Sequence, residues 1–207
     1  MVSLAVVILA AGEGRRLGRG PKALLTIDGR TLVERQLAIV RGVADPVVVL
    51  GAEADRVITR TDLSDATVVV NPDWASGMAS SLRAGVAAAT EGGPEAIMIV
   101  LVDQPGLGPA VVDRLVTAHR PGRITVAGYG APGVPGHPMI FATEHAVAAA
   151  RQAEGDHGAR AYLRSHPGLV DRVDCADLAD GTDVDTETDL ARWTITPLKP
   201  PERPDMG

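Results

Sequence analysis

Short, continuously apolar runs rich in β-branched residues alternate along this chain with longer stretches of helical period. The spacing predicts strands near 4–9, 46–50, 66–70, 96–102 and 123–127, and helices near 31–41, 78–89, 109–119 and 143–152. The strand runs do not alternate apolar with polar, which is expected when helices cover both faces of a sheet. The pattern therefore implies a three-layer α/β/α Rossmann-like fold with a mostly parallel sheet and its ligand edge at the carboxyl ends of the strands. Ser76 is the expected N-cap of the 78–89 helix, and Val111, Val112, Leu115 and Val116 form the packing stripe of the 109–119 helix. Residues 128–137 are rich in Gly and Pro and lead into the apolar run Pro138 to Phe141, which reads as a hairpin or a lid over the site. One domain over 1–196 is expected, and the Pro-rich, charged stretch 197–207 is expected to be a disordered tail.

Composition narrows the class of ligand. The chain of 207 residues is 45% hydrophobic but only 2% aromatic, so small side chains must let the layers approach closely. A net charge of -6 argues against an extended nucleic-acid surface and for a small partner. Cys175 is the single cysteine, which rules out an intrachain disulfide and fits a reducing, cytoplasmic compartment. The apolar N-terminal run lacks a preceding basic region and reads as a buried strand rather than a leader. The longest apolar run, Ala96 to Val102, is far short of the ~18–20 residues that a membrane span needs, so no membrane role is expected.

Against the acidic whole, the loop after the first strand is basic. Between Ala10 and Lys22 stand Arg15, Arg16, Arg19 and Lys22 against Glu13, a local charge of +3. Glycines let backbone N–H groups approach an anion, and the cations neutralise it, so the loop is suited to a nucleoside triphosphate. It is not a P-loop, because Ala23 follows the lysine where a hydroxyl is required. A dinucleotide loop, and with it an NAD(P)H-dependent oxidoreductase, is the rival reading. The ribose-reading residue expected about 20 positions on would fall in the Leu32 to Val40 helix. Asp103 follows the most hydrophobic strand at its carboxyl end, where it is placed to hold Mg2+ or, alternatively, to close a turn before Gln104 and Pro105. Asp177, Asp180, Asp183 and Asp185 form a second acidic cluster, part of which reads as a solvated turn capping a helix that begins near Thr186.

Five further motifs join the opening loop, Leu9-Ala-Ala-Gly12-x-Gly14-x-Arg16-Leu17-Gly18 with Pro21-Lys22. They are Asn71-Pro-x-Trp74-x-x-Gly77-Met78-x-Ser80-Ser81-Leu82, Val102-Asp103-Gln104-Pro105, Gly133-x-Pro-Gly136-His137-Pro138, Gly155-Asp156-x-Gly158-Ala159-Arg160 and Asp183-Val-Asp185-Thr186. Together they resemble the MobA-like nucleotidyltransferases, and in particular their molybdenum cofactor cytidylyltransferase branch. That resemblance implies transfer of CMP from CTP to a phosphorylated pterin, with pyrophosphate released. It implies phosphate contacts from Arg16 and Lys22, and a nucleotide lined by Leu9, Ala10, Ala11, Gly12, Gly14, Gly77, Ser80 and Ser81. It further implies Mg2+ on Asp103 and Asp185, with Asp183 competing for the second place, and an acceptor near His137, Asp156 and Gly158. A molybdoenzyme partner is implied as well, and a non-catalytic protein that binds and delivers molybdenum cofactor is a second rival. Gly14, Leu17 and the three-residue spacer ending in Pro21 depart from the cytidylyltransferase pattern and also resemble sugar-phosphate and methylerythritol-phosphate nucleotidyltransferases. Ala11 favours cytidine over guanosine by the same resemblance.

Overall fold

The computed structural model describes residues 2–130, 135–193 and 195–197, and each predicted strand and helix is present within them. In chain order the elements are β1 (Leu4–Ala10), β2 (Leu25–Ile27), β3 (Arg30–Thr31), α1 (Leu32–Val40), β4 (Pro46–Leu50), α2 (Ala54–Arg60), β5 (Thr67–Val70), α3 (Met78–Thr90) and β6 (Ala96–Leu101). There follow α4 (Pro109–Ala118), β7 (Ile124–Gly128), β8 (Gly136–Ala142), α5 (Thr143–Gln152), α6 (Arg160–Ser165), β9 (Val170–Asp174), α7 (Glu187–Arg192) and β10 (Ile195–Pro197). Seven strands form a sheet in the order β5-β4-β1-β6-β8-β7-β9, and in it β8 runs against its neighbours. The fold is thus mixed α/β around a mostly parallel sheet.

β1 explains why its run is apolar throughout. Val6, Ile8 and Ala10 pack into a core with Leu32, Val33 and Leu37 of α1 and Leu115 of α4, whereas Val7 and Leu9 pack on the other face with Leu82 and Val86 of α3. Both faces are buried, and each fully buried Val or Ile stabilises the fold by about 1.5–3 kcal/mol. Gly85 lets α3 lie close on this face, because a Cβ there would clash with Val7 and come 2.8 Å from Val49 Cγ2. Alanine in a helix is intrinsically better than glycine by about 1 kcal/mol, but forcing a methyl into a packed core costs about 1–3 kcal/mol. Gly85→Ala is therefore expected to lower the denaturant midpoint, and an unchanged or higher midpoint would refute the close-packing account.

β7 and β8 form the predicted hairpin, and the run Pro138 to Phe141 is a strand inside the sheet. Proline cannot donate to a ladder, and the register steps from Val126↔Met139 to Ala127↔Gly136, skipping His137 and Pro138. β6 and β8 last pair at Ile99↔Met139, so the carboxyl end of β6 is left open. α1 begins with a capping box, in which Glu34 N donates to Thr31 Oγ1 at 3.3 Å and Thr31 N donates to Glu34 Oε2 at 2.9 Å. The cap expected for α3 is corrected. The Ser76 hydroxyl donates to Asp73 O at 2.7 Å in a preceding 3-10 turn, and Met78 N donates instead to Asp156 Oδ1 at 3.2 Å.

A second, three-stranded sheet in the order β10-β2-β3 ties residues 195–197 to the segment that follows Lys22. Pro197, expected to open a disordered tail, is thus the last residue of a strand. Residues 198–207 of that tail and 131–134 of the expected lid lie outside the described residues.

Candidate active site

The carboxyl ends of β1 and β6 and the start of β8 open together into a cleft of about 830 Å3. Its first wall is the glycine loop, in which Leu17 N and Gly18 N both donate to Gly14 O at 3.0 and 3.2 Å. Gly14 has a φ of 68°, and a Cβ on it would lie 2.5 Å from Gly20 O, so this turn requires glycine. The turn buries Leu17 and leaves Arg15 and Arg16 at the cleft. Arg15 pairs with Glu13 at 2.6 Å, whereas Arg19 points away and grips Glu187 at 3.0 Å. The loop's four cations therefore divide between the cleft and the rim.

Pro21 leads into a short 3-10 turn that turns the Lys22 side chain inward, where only 14% of it is exposed. Its Nζ donates to Asp103 Oδ2 at 2.7 Å and also to Asp185 Oδ1. Burial pulls the Lys22 pKa down, but the two carboxylates outweigh it and the net shift is upward, so the ammonium stays charged. Asp103 sits just beyond β6, anchored by Val102 N donating to Leu9 O at 3.1 Å. Asp185 is brought in from the far end of the chain because Val184 is fully buried and its N–H donates to Asp103 O at 2.9 Å. Asp183 and Asp185 flank that anchor, and Arg16 lies 3.6 Å from Asp185.

Asp183 keeps surface on the cleft, yet its carboxyl is pushed up to about 6. Desolvation is the chief cause and the Asp103 charge the next, opposed by a hydrogen bond from Gln104. A carboxyl bound more tightly to its proton in the folded state than at its unfolded value of about 3.9 withdraws stability as pH rises from about 4 to about 6, and the whole penalty is present above that range. Asp183→Asn is therefore expected to raise the thermal midpoint at pH 7.5 in metal-free buffer, with the gain shrinking on acidification toward pH 4. Equal midpoints at pH 7.5 would overturn it.

The rest of the cleft is built differently. Leu9, Leu82, Ile99, Leu101 and Met139 make an apolar floor, and Trp74 stands at one side, packed so closely on Gly51 and Ala11 that a Cβ on Gly51 would lie 2.5 Å from Trp74 Cβ. At the other side, Tyr129 Oη donates to His137 O at 2.7 Å. Burial lowers the His137 pKa to about 4, so the ring is neutral near pH 7.

Most residues expected at the site line this one cleft: Leu9, Ala11, Gly12, Gly14, Arg16, Lys22, Gly77, Ser81, Asp103, His137, Asp156, Gly158 and Asp185. Ala10 and Ser80 do not. Ala10 is buried under the sheet, and the Ser80 hydroxyl donates to Asp73 O and Gly77 O while accepting from Asn71 Nδ2 at 2.8 Å. Asp156 caps α3, a role not expected of it. Of the acidic cluster, Asp177 is paired with Arg114 at 2.5 Å, away from the cleft. Trp74 and, apart from Leu9, the apolar floor were not foreseen as parts of the site, nor was Gln36, which holds Gln104 O from α1 without lining the cleft. Gln36 did carry a signal, since it falls on the buried stripe of α1 with Leu32, Val33, Leu37 and Val40.

The donor set fits a hard divalent cation. Asp103 and Asp185 meet at a single point that an internal ammonium occupies, with the crowded Asp183 carboxyl beside it. Among the described residues no group of three or more acids, histidines or cysteines forms a complete cage. A hard divalent cation is commonly held by one or two carboxylates and completed by water and phosphate oxygens, a number that Asp103 and Asp185 would supply.

A glycine loop at the carboxyl end of β1, a buried lysine and two convergent carboxylates on a mostly parallel sheet define a protein of the nucleotidyltransferase class. Residues 6–170 match the model of the MobA-like NTP transferase domain, and the chain belongs to that family. It is 49% identical over 193 residues, 90% of this chain and 94% of the relative, to a nicotine blue oxidoreductase of Paenarthrobacter nicotinovorans. It is 38% identical over 119 residues, 56% of each chain, to a probable molybdenum cofactor guanylyltransferase of Mycobacterium ulcerans. Among solved structures it is similar to Rv0371c of Mycobacterium tuberculosis in complex with manganese, with a TM-score of 0.72 and 27% identity over 92% of this chain and 97% of that one.

Proposed function

We propose that the chain transfers CMP from CTP to a phosphorylated acceptor of the molybdopterin type and releases pyrophosphate. The observation that carries this reading is the meeting of Lys22 with Asp103 and Asp185 below the glycine loop. An acceptor phosphate oxygen forms the new bond to the α-phosphorus, the α–β bridging bond breaks, and its electron pair leaves with pyrophosphate. Such a transition state gathers negative charge, and a site with fixed cations stabilises it where it develops. Arg16, 78% exposed and only loosely held by Asp185, is free to close on the phosphates. Lys22, charged and held at the cleft floor, is positioned to transfer its hydrogen bonds from the carboxylates to phosphate oxygens. Asp103 and Asp185 would hold Mg2+, which when bound supplies charge neutralisation and a bridge to the triphosphate. Gly12 and Gly14 line the same cleft.

The apolar floor suits the flat ring system of a pterin, with neutral His137, Gly158 and the Asp156 corner at its edge. For the base, CTP is favoured by Ala11, which lines the cleft, through its resemblance to the cytidylyltransferase branch. A molybdoenzyme that receives the product is the implied partner, and a reducing cytoplasm suits the buried thiol of Cys175. No helix among the described residues is long and apolar enough to cross a membrane.

A second reading, reduction of a quinonoid dye with NAD(P)H, is favoured by the printed activity of the relative from Paenarthrobacter nicotinovorans. In the structure the strand beside β1 is followed by Glu53, the place of a ribose-reading acid, but Glu53 is paired with Arg56 at 2.7 Å and does not line the cleft. One experiment separates the two. Purified protein is incubated with each of four triphosphates, Mg2+ and molybdopterin, and with NADPH and dye, while pyrophosphate and NADPH are followed. Release of pyrophosphate with CTP is expected; NADPH oxidation without any pyrophosphate would overturn the transferase reading.

A further inference from the structure

Two glutamines outside the phosphate loop form a buried relay into the carboxylate cluster. Gln36, on α1, is 0% exposed, and its Nε2 donates to Gln104 O at 3.0 Å. That same carbonyl accepts from Leu107 N at 3.1 Å, so it closes the turn that follows Asp103. The side chain of Gln104, itself 5% exposed, donates to Asp183 Oδ1 at 2.9 Å and to Gly181 O at 3.3 Å. The orientation of both amides is fixed by their partners, because a carbonyl and a carboxylate accept and only the NH2 end donates. Both carbonyl ends are then buried without a donor.

That last fact decides what Gln36 is for. The neighbouring positions on its stripe are Leu32, Val33, Leu37 and Val40, and a thioether or leucine would fill the same space without burying a carbonyl oxygen that has no donor. A residue kept for stability alone would be apolar. We infer that Gln36 is a positioning residue, which sets Asp103 for the cation and phosphates by fixing the backbone of Gln104. The inference rests on the transferase reading of Asp103. It adds to that reading an element of the site on a helix that does not touch the cleft.

The test is Gln36→Met in the full chain, with Gln36→Leu as the second variant should methionine prevent folding. The thermal midpoint is expected to equal or exceed that of the unaltered protein. At the same time kcat for pyrophosphate release should fall tenfold or more, with KM for the triphosphate within twofold, since Gly14 and Arg16 are untouched. Mn2+ titrated alone and followed by electron paramagnetic resonance should bind at least threefold more weakly. A kcat within twofold, or a loss that merely tracks the folded fraction, overturns the inference. If the unaltered protein releases no pyrophosphate with any triphosphate, the transferase reading falls by itself. The Mn2+ titration then decides alone: weaker binding by the variant supports the relay, and equal binding by the two proteins, or none by either, overturns it.

Discussion

Asp103→Asn is expected to lower pyrophosphate release by on the order of 10²–10³-fold while leaving the thermal midpoint within a few degrees. The substitution keeps volume, and the asparagine oxygen can still accept from Lys22, which also retains Asp185. The backbone bonds that place the residue, Val102 N to Leu9 O and Val184 N to Asp103 O, do not involve its side chain. What is lost is one negative charge at the meeting point of the cluster, and with it a hard ligand for the cation. Steady-state release by the variant, measured beside its melt, checks both halves. Full turnover would remove Asp103 from the reaction, and a collapsed melt would make its role structural. Dye reduction with NADPH, by contrast, has no need of this charge and should persist under the second reading.

Lys22→Met is expected to have an effect of opposite sign on the cation. Without the ammonium, Asp103, Asp183 and Asp185 face one another with Arg16 as the nearest counter-charge, and Arg16 is mostly in solvent. Removing one member of a fully buried pair costs about 3–5 kcal/mol; with Asp185 still 42% exposed, about 1–2 kcal/mol is expected in metal-free buffer. Added Mn2+ should return that loss, because a ligand that binds only the folded state stabilises it. The midpoint should therefore rise with Mn2+ far more steeply in the variant than in the unaltered protein, although turnover is lost. A variant that responds to Mn2+ no more than the unaltered protein would show that lysine and cation do not compete for the same place.

What the sequence made legible were the elements whose identity depends on continuous pattern. β1, β4 and β6 were readable because strands buried in the middle of the sheet are apolar throughout, β7 and the half-exposed edge strand β5 because their runs are β-branched, and α1, α3, α4 and α5 because each shows enough turns to repeat its stripe. α2, with seven residues, and α6 and α7, with six each, are too short to establish a period. β9, Val-Asp-Arg-Val-Asp, is an edge strand whose polar positions mask it. β2, β3 and β10 have two or three residues each; β2 and β3 form a tight local hairpin, and β10 exists only through pairing with it across most of the chain.

The site divides in the same way. The glycine loop and Asp103 announced themselves locally, by charge against an acidic chain and by a carboxylate at a strand end. The choice between Asp183 and Asp185 could not be made from spacing, since both flank Val184 and it is the burial of that valine that turns them to the cleft. Ser80 looked like a ligand because a hydroxyl carries no record of its partners; only the fold shows Asn71, Asp73 and Gly77 around it. Asp156 was read for the acceptor through the resemblance of its motif; it lines the cleft, and its carboxyl also meets the start of α3 from 78 positions away, which no local pattern announces.

The small β10-β2-β3 sheet has a consequence for how the protein comes into being. Asp185 and β10, the strand that pairs with the segment after Lys22, are translated last among the described residues, after every strand of the large sheet is available. A nascent chain halted before residue 183 can collapse around that sheet and already holds the glycine loop, Lys22 and Asp103, but it has only half of the carboxylate pair.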